Sequence, residues 1–283
     1  TKYYGKQRGI IDLDLEVREG EFFGFIGPNG AGKSTTIRTL LGLIRKTSGE
    51  AEIFSKDIEK FKGEILSDIG YMPSEAVFYN NMKVKDIIKL SADLRKKDCR
   101  TEAQLLCERL SLDINKRIDE LSLGNRKKVS IVCAMQHKPS LYILDEPTSG
   151  LDPLMQKEFF DILSERHKEG ATMFLSSHIL SEIQKHCTTA AIIKEGRLVA
   201  YDTVENLSKS NAKRIQLIGV NDISENENIK SVEKSQNSVS FLYTGEIKEF
   251  ISYANTLPLT DITITEPDLD EIFMHYYQKD GEQ

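Results

Sequence analysis

Tryptophan is absent from this chain, and cysteine and proline are scarce, at 4 and 7 of 283 residues. Long apolar runs are missing too. The run from Ala190 to Ile193 is among the longest, far short of the ~20 residues that a membrane-spanning helix needs. Cys99, Cys107, Cys133 and Cys187 sit at irregular spacing without a C-x-x-C pair. That argues against a zinc ribbon or a disulfide frame and reads as reduced thiols of a cytoplasmic protein. An excess of positive charge is also lacking: 38 Lys+Arg against 44 Asp+Glu leave a net charge of −6, so nucleic acid is not an expected partner. The start, Thr1 to Gly5, does not read as a secretory signal. What is present, 39% hydrophobic and 29% charged residues without low-complexity tracts, suits a globular fold.

Charge divides the chain unevenly. From Glu205 to Gln283, 7 Lys+Arg face 14 Asp+Glu, whereas the preceding residues hold 31 against 30. The expectation is a near-neutral domain over 1–204 and an acidic module over 205–283, with a polar linker at Ser208 to Asn211.

In the first part, short apolar strands alternate with amphipathic helices. Glu21 to Ile26 reads as a buried strand, and Ile37, Leu40, Leu41 and Ile44 follow at helical spacing. Leu141–Leu144 and Thr172–Leu175 are two further buried-strand candidates, with a helix between them over Gln156 to Lys168. Such alternation predicts an α/β fold with a parallel sheet covered on both faces. A mostly helical insert is expected over about 84–134. In the acidic module, strands are expected at Arg214 to Gly219, Ser238 to Tyr243 and Asp261 to Thr265. A helix is expected over Glu246 to Leu257, and another opens at Thr265, with Leu269, Ile272, Phe273 and Tyr276 on one face. The module therefore reads as a small α+β unit.

Gly27-Pro28-Asn29-Gly30-Ala31-Gly32-Lys33-Ser34, followed by Thr35, matches G-x-x-x-x-G-K-[ST] between a strand and a helix. Glycines let the backbone curl so that successive N–H groups face phosphate oxygens, and the helix adds its positive end. Lys33 supplies a cation for the terminal phosphates, and the Ser34 hydroxyl can ligate Mg²⁺. Downstream, Leu141 to Leu144 end in Asp145-Glu146. Asp145 is the candidate second Mg²⁺ holder, and Glu146 the candidate base for water attacking a γ-phosphate. Adjacent acids at a strand end also occur as plain loop residues; their place in a phosphate-loop chain favours the functional reading.

At this point the chain resembles the nucleotide-binding subunits of ATP-binding cassette (ABC) transporters, over about residues 1–204. Leu121-Ser122-Leu123-Gly124-Asn125 is similar to the family signature, usually written LSGGQ, and lies ahead of Asp145-Glu146. Ser149-Gly150-Leu151-Asp152 is similar to the D-loop, Ser177-His178 to the switch histidine, and Tyr4 to the aromatic that stacks on adenine. From the residues alone, Ser122 reads as a helix N-cap, while Tyr4 suits core packing equally well.

The resemblance implies a P-loop ABC cassette with a helical subdomain, two cassettes pairing around two ATPs, and Mg²⁺ as cofactor. Ser122, Gly124 and Asn125 would then face the ATP of the opposite subunit, and His178 its own γ-phosphate. The pair, a homodimer or a heterodimer, would drive a separately encoded permease from the cytoplasmic side of the membrane. Two departures stand out. Ser74-Glu75 replace the usual Gln, leaving open whether either touches the metal, and Leu123 replaces a signature Gly. The ending Glu266 to Phe273 is similar to ATPase subunits of type-2 exporters of the bacterial drug, peptide and sodium efflux kind. A catalytically degenerate partner of an active cassette and a soluble non-transport ABC ATPase are the alternative readings.

Overall fold

The purely apolar segment Phe22–Ile26 forms strand β1, buried at every position, as expected of a strand covered on both faces. The computed structural model describes residues 1–5, 7–208 and 213–265. Five more strands join β1: β2 (Ile69–Met72), β3 (Leu141–Asp145), β4 (Thr172–Ser177), β5 (Thr189–Lys194) and β6 (Arg197–Thr203). The sheet order is β6-β5-β1-β4-β3-β2, with parallel pairing of β1 to β4 and β5, of β4 to β3 and of β3 to β2. Phe23 and Phe25 meet Phe174 of β4 at ring-centroid distances of 5.1 and 5.4 Å. Burying each of these rings contributes about 1.5–3 kcal/mol.

Helix α1 spans Lys33–Leu40. It stops short of the apolar Ile44 because Gly42 adopts φ +60°, the left-handed geometry that terminates helices. The insert between β2 and β3 contains α2 (Val84–Arg95), α3 (Arg100–Arg109) and α4 (Leu123–Met135). After β3, α5 runs over Pro153–Lys168, earlier than the apolar spacing indicated. The Asp152 carboxylate accepts from the N–H groups of Leu154 and Met155, both at 3.0 Å, and Pro153 fits the first helical position. Helix α6 (Leu180–His186) follows β4. Among the described residues, no helix is long and apolar enough to cross a membrane.

Contact density divides the chain into units Thr1–Asp202 and Thr203–Gln283. The second unit holds an antiparallel sheet of β7 (Lys213–Ile218), β8 (Ile229–Lys234), β9 (Ser238–Tyr243) and β10 (Asp261–Thr265), in the order β8-β9-β7-β10. Helix α7 (Ile247–Ala254) packs Phe250 against Phe241 and Tyr243 of β9. Strand β8 carries charges at Lys230, Glu233 and Lys234 and only two apolar residues, Ile229 and Val232, which hid it from the hydrophobic pattern. The expected terminal helix and the Glu266–Phe273 segment lie outside the described residues, as does most of the expected linker.

Candidate nucleotide site

The loop after β1 is shaped by close packing. A Cβ on Gly27 would stand 2.4 Å from the Ile193 carbonyl oxygen, and Gly32 opens α1 at φ +112°. The loop borders a cleft of about 270 Å³, lined by Pro28, Asn29 and Gly30 and by Gly32 to Thr35. Across it stand Arg8, Gly9, Ser74 and Glu146. Gly27 and Ala31 form the loop's packed side: the Ala31 N–H donates to Pro28 O at 3.1 Å, and Gly196 N–H donates to Ala31 O at 2.8 Å.

Lys33 is only 5% exposed. Its ammonium donates to Gly27 O at 2.6 Å and Pro28 O at 3.2 Å, and lies 3.1 Å from Glu146 Oε1 as an ion pair. Glu146 Oε2 lies 2.5 Å from His178 Nδ1, so one carboxylate joins the cation to the histidine. Glu146 itself sits at φ +49°, a left-handed conformation costing a bulky residue about 1–3 kcal/mol. Its N–H donates to Ser176 O at 3.1 Å.

Asp145 ends β3, which β4 separates from β1 in the sheet. Its Oδ1 accepts from Ser176 Oγ at 2.6 Å, while Oδ2 is buried without a hydrogen-bond partner. Asp145 does not itself line the cleft but directly precedes Glu146, which does; a buried, unpaired carboxylate oxygen there suits a divalent cation.

Of the remaining sequence candidates, Ser74 alone borders the cleft. Ser122 is exposed, and its Oγ accepts from Asn125 N–H at 3.4 Å, capping α4. Gly124 packs against the D-loop, where an added Cβ would lie 3.0 Å from Gly150 O. Ser122, Gly124, Asn125 and Asp152 do not line the chain's own cleft. Nor does Tyr4, which is 45% exposed with Lys2 Nζ 5.1 Å from its ring centroid. Ser74 lines the cleft, whereas Glu75 is exposed beyond it. Arg8 and Gly9 escaped sequence reasoning: they come from the short hairpin strand Gln7–Ile10, which carries no motif.

Comparison with known proteins extends this geometry. Residues 10–149 match the family model described as ABC transporter. Over 97% of this chain and 94% of the relative, the sequence is 36% identical to the bacitracin transport ATP-binding protein of Bacillus licheniformis. The chain belongs to the ABC transporter ATP-binding proteins. The corresponding bacitracin transport protein of Enterococcus faecalis is 31% identical to this ABC protein, over 96% of it and 92% of the relative. A solved structure of an ATP-binding subunit of an ABC transporter superposes with a TM-score of 0.70 at 30% identity. It covers 74% of this chain and 89% of its own. The molecule is thus an ABC ATPase, with the P-loop cassette fold expected from its motifs.

Proposed function

We propose that this ABC ATPase pairs with a second cassette around two ATPs and uses their hydrolysis to drive a separate membrane permease of the exporter class. The observation that carries the reading is the line from Lys33 through Glu146, both lining the cleft, to His178. Lys33 binds the terminal phosphates in exchange for its contact with Glu146. The freed carboxylate then accepts a proton from the attacking water, and His178 holds it in place. Ser34 and the unpaired Asp145 Oδ2 would hold Mg²⁺, which when bound would supply charge neutralisation for the phosphates.

Ser122, Gly124 and Asn125 offer a capped helix start and backbone N–H groups to the ATP of the partner cassette. Ser122 is exposed and Gly124 and Asn125 are half-buried, all three away from the chain's own cleft, which supports a composite site. Association with the membrane is then peripheral, at its cytoplasmic face through the permease. The export assignment rests on full-length likeness to two bacitracin transport proteins.

Ser122→Arg and Lys33→Ala test this arrangement in mixture. Each variant alone should lack turnover, because every site in its dimers has one defective half. Mixed dimers contain one site with both halves intact, so ATP hydrolysis should return on mixing. Unimpaired hydrolysis by Ser122→Arg alone would reject the composite site.

A further inference from the structure

Lys127 is a cation that the nucleotide reading leaves unused. It lies on α4 just past the signature residues and is 1% exposed. Its ammonium donates to Ser74 O at 2.8 Å and to Glu146 O at 3.0 Å, with Pro73 O at 3.5 Å. Ser74 and Glu146 both line the phosphate cleft. One buried group on α4 therefore holds the backbone of two segments on which the cleft depends.

Burying an ammonium is unfavourable unless its donors are used. Burial lowers the pKa of Lys127, and the Asp145 and Glu146 carboxylates oppose that shift. A residue needed only to fill space could be apolar at lower cost. The left-handed backbone of Glu146 also requires restraint from its surroundings. Ser176 O accepts from its N–H, and Lys127 donates to its carbonyl oxygen. The contact at residue 74 uses the main chain, so it does not depend on side-chain length there.

We propose that Lys127 is a positioning residue for ATP hydrolysis, clamping the backbone of Glu146 and Ser74 so that the Glu146 carboxylate stays aimed at the phosphate cleft. The inference rests on the reading of Glu146 as the base. Lys127 touches no substrate and acts through that residue. Because Ser122 caps α4, the clamp also ties the face offered to the second cassette to the hydrolytic carboxylate.

The test is steady-state ATP turnover of the full chain carrying Lys127→Met or Lys127→Gln, alone and combined with Glu146→Gln. Methionine keeps the unbranched stem and removes every donor; glutamine keeps a shorter donor. The expected loss for Lys127→Met is about 10- to 100-fold in kcat, the size that a misplaced catalytic group produces. KM for ATP should stay within about twofold, since the phosphate loop is untouched. Lys127→Gln should fall between Met and the parent.

Added to Glu146→Gln, Lys127→Met should lower the residual rate no further, because both changes disable the same group. Parent-like kcat in Lys127→Met, a joint failure of kcat and KM, or a multiplicative loss in the double variant would overturn the proposal. Should the Met variant not fold, the Gln variant decides by the same kcat-against-KM split and the same combination. If Glu146→Gln alone turns over normally, the base assignment fails, whatever happens at Lys127.

Discussion

The ammonium of Lys33 stands 3.1 Å from Glu146 Oε1, so the proposed phosphate-binding cation and the proposed base neutralise one another across the cleft. On the proposed mechanism, a γ-phosphate competes with Glu146 for that cation, so that binding and release of the base become one event. Removing the lysine leaves no nearby cation of the loop to replace its contact. Lys33→Ala should weaken ATP binding by about 100-fold or more, given charge-assisted bonds contributing roughly 1.5–3 kcal/mol each. Calorimetric titration with ATP checks this, and unchanged affinity would remove Lys33 from the site.

The loop's shape can be tested apart from its charge. A Cβ at Gly27 meets the Ile193 carbonyl oxygen at 2.4 Å, whereas at Gly30 it meets nothing within 4 Å, though φ there is +80°. Gly27→Ala must displace β5 backbone, an overpacking cost of about 1–3 kcal/mol, on top of its effect on nucleotide binding. Gly30→Ala carries only conformational strain. Thermal unfolding should show the larger fall in Tm for Gly27→Ala; the reverse order would contradict the packing account.

Legibility in the sequence followed the range of the interaction. The phosphate loop was plain because glycine spacing is a local property of backbone, and β1 because both its faces are buried. Ser122 was legible as a cap for the same reason, whereas the Asp152 cap, ahead of the expected helix start, was not. The pairing of Lys33 with Glu146 and the reach of Lys127 to Ser74 and Glu146 were not. They join positions far apart in the chain, and Lys127 stands among other cations, Arg126 and Lys128, with nothing to distinguish it. The border formed by Arg8 and Gly9 comes from strand Gln7–Ile10 of a two-stranded hairpin, which carries no motif. Between Ser74 and Glu75, only the structure decides which one lines the cleft.

His137 gives the fold an acid-sensitive point. Burial first, then the neighbouring Arg95, pushes its pKa down to about 4 from 6.5. Arg95 Nε lies 3.1 Å from its Nε2, and Lys97 lowers the pKa further while Ile69 O and Asp68 oppose. The fold holds the ring neutral, and the unfolded chain takes up a proton between those values. The stabilisation is full above pH 6.5 and is lost as pH falls toward 4. Melting curves across that window should show a steeper decline in Tm for the parent than for His137→Gln. Parallel curves would exclude His137 as the cause.

The most direct measurement is the behaviour of Glu146→Gln with ATP. The substitution keeps the side chain's size and its reach toward His178 but removes the proton acceptor. Loss of a positioned base costs ~10²–10⁴ in rate, or roughly 3–5 kcal/mol of barrier. Lys33, Ser34, Asp145 and the loop N–H groups still bind the nucleotide, so the paired state should persist. Size-exclusion chromatography with ATP should show a stable dimer for Glu146→Gln and mostly monomer for the parent, with turnover of the variant nearly abolished. Near-normal turnover by Glu146→Gln without an ATP-dependent dimer would contradict the account and move the base to another residue.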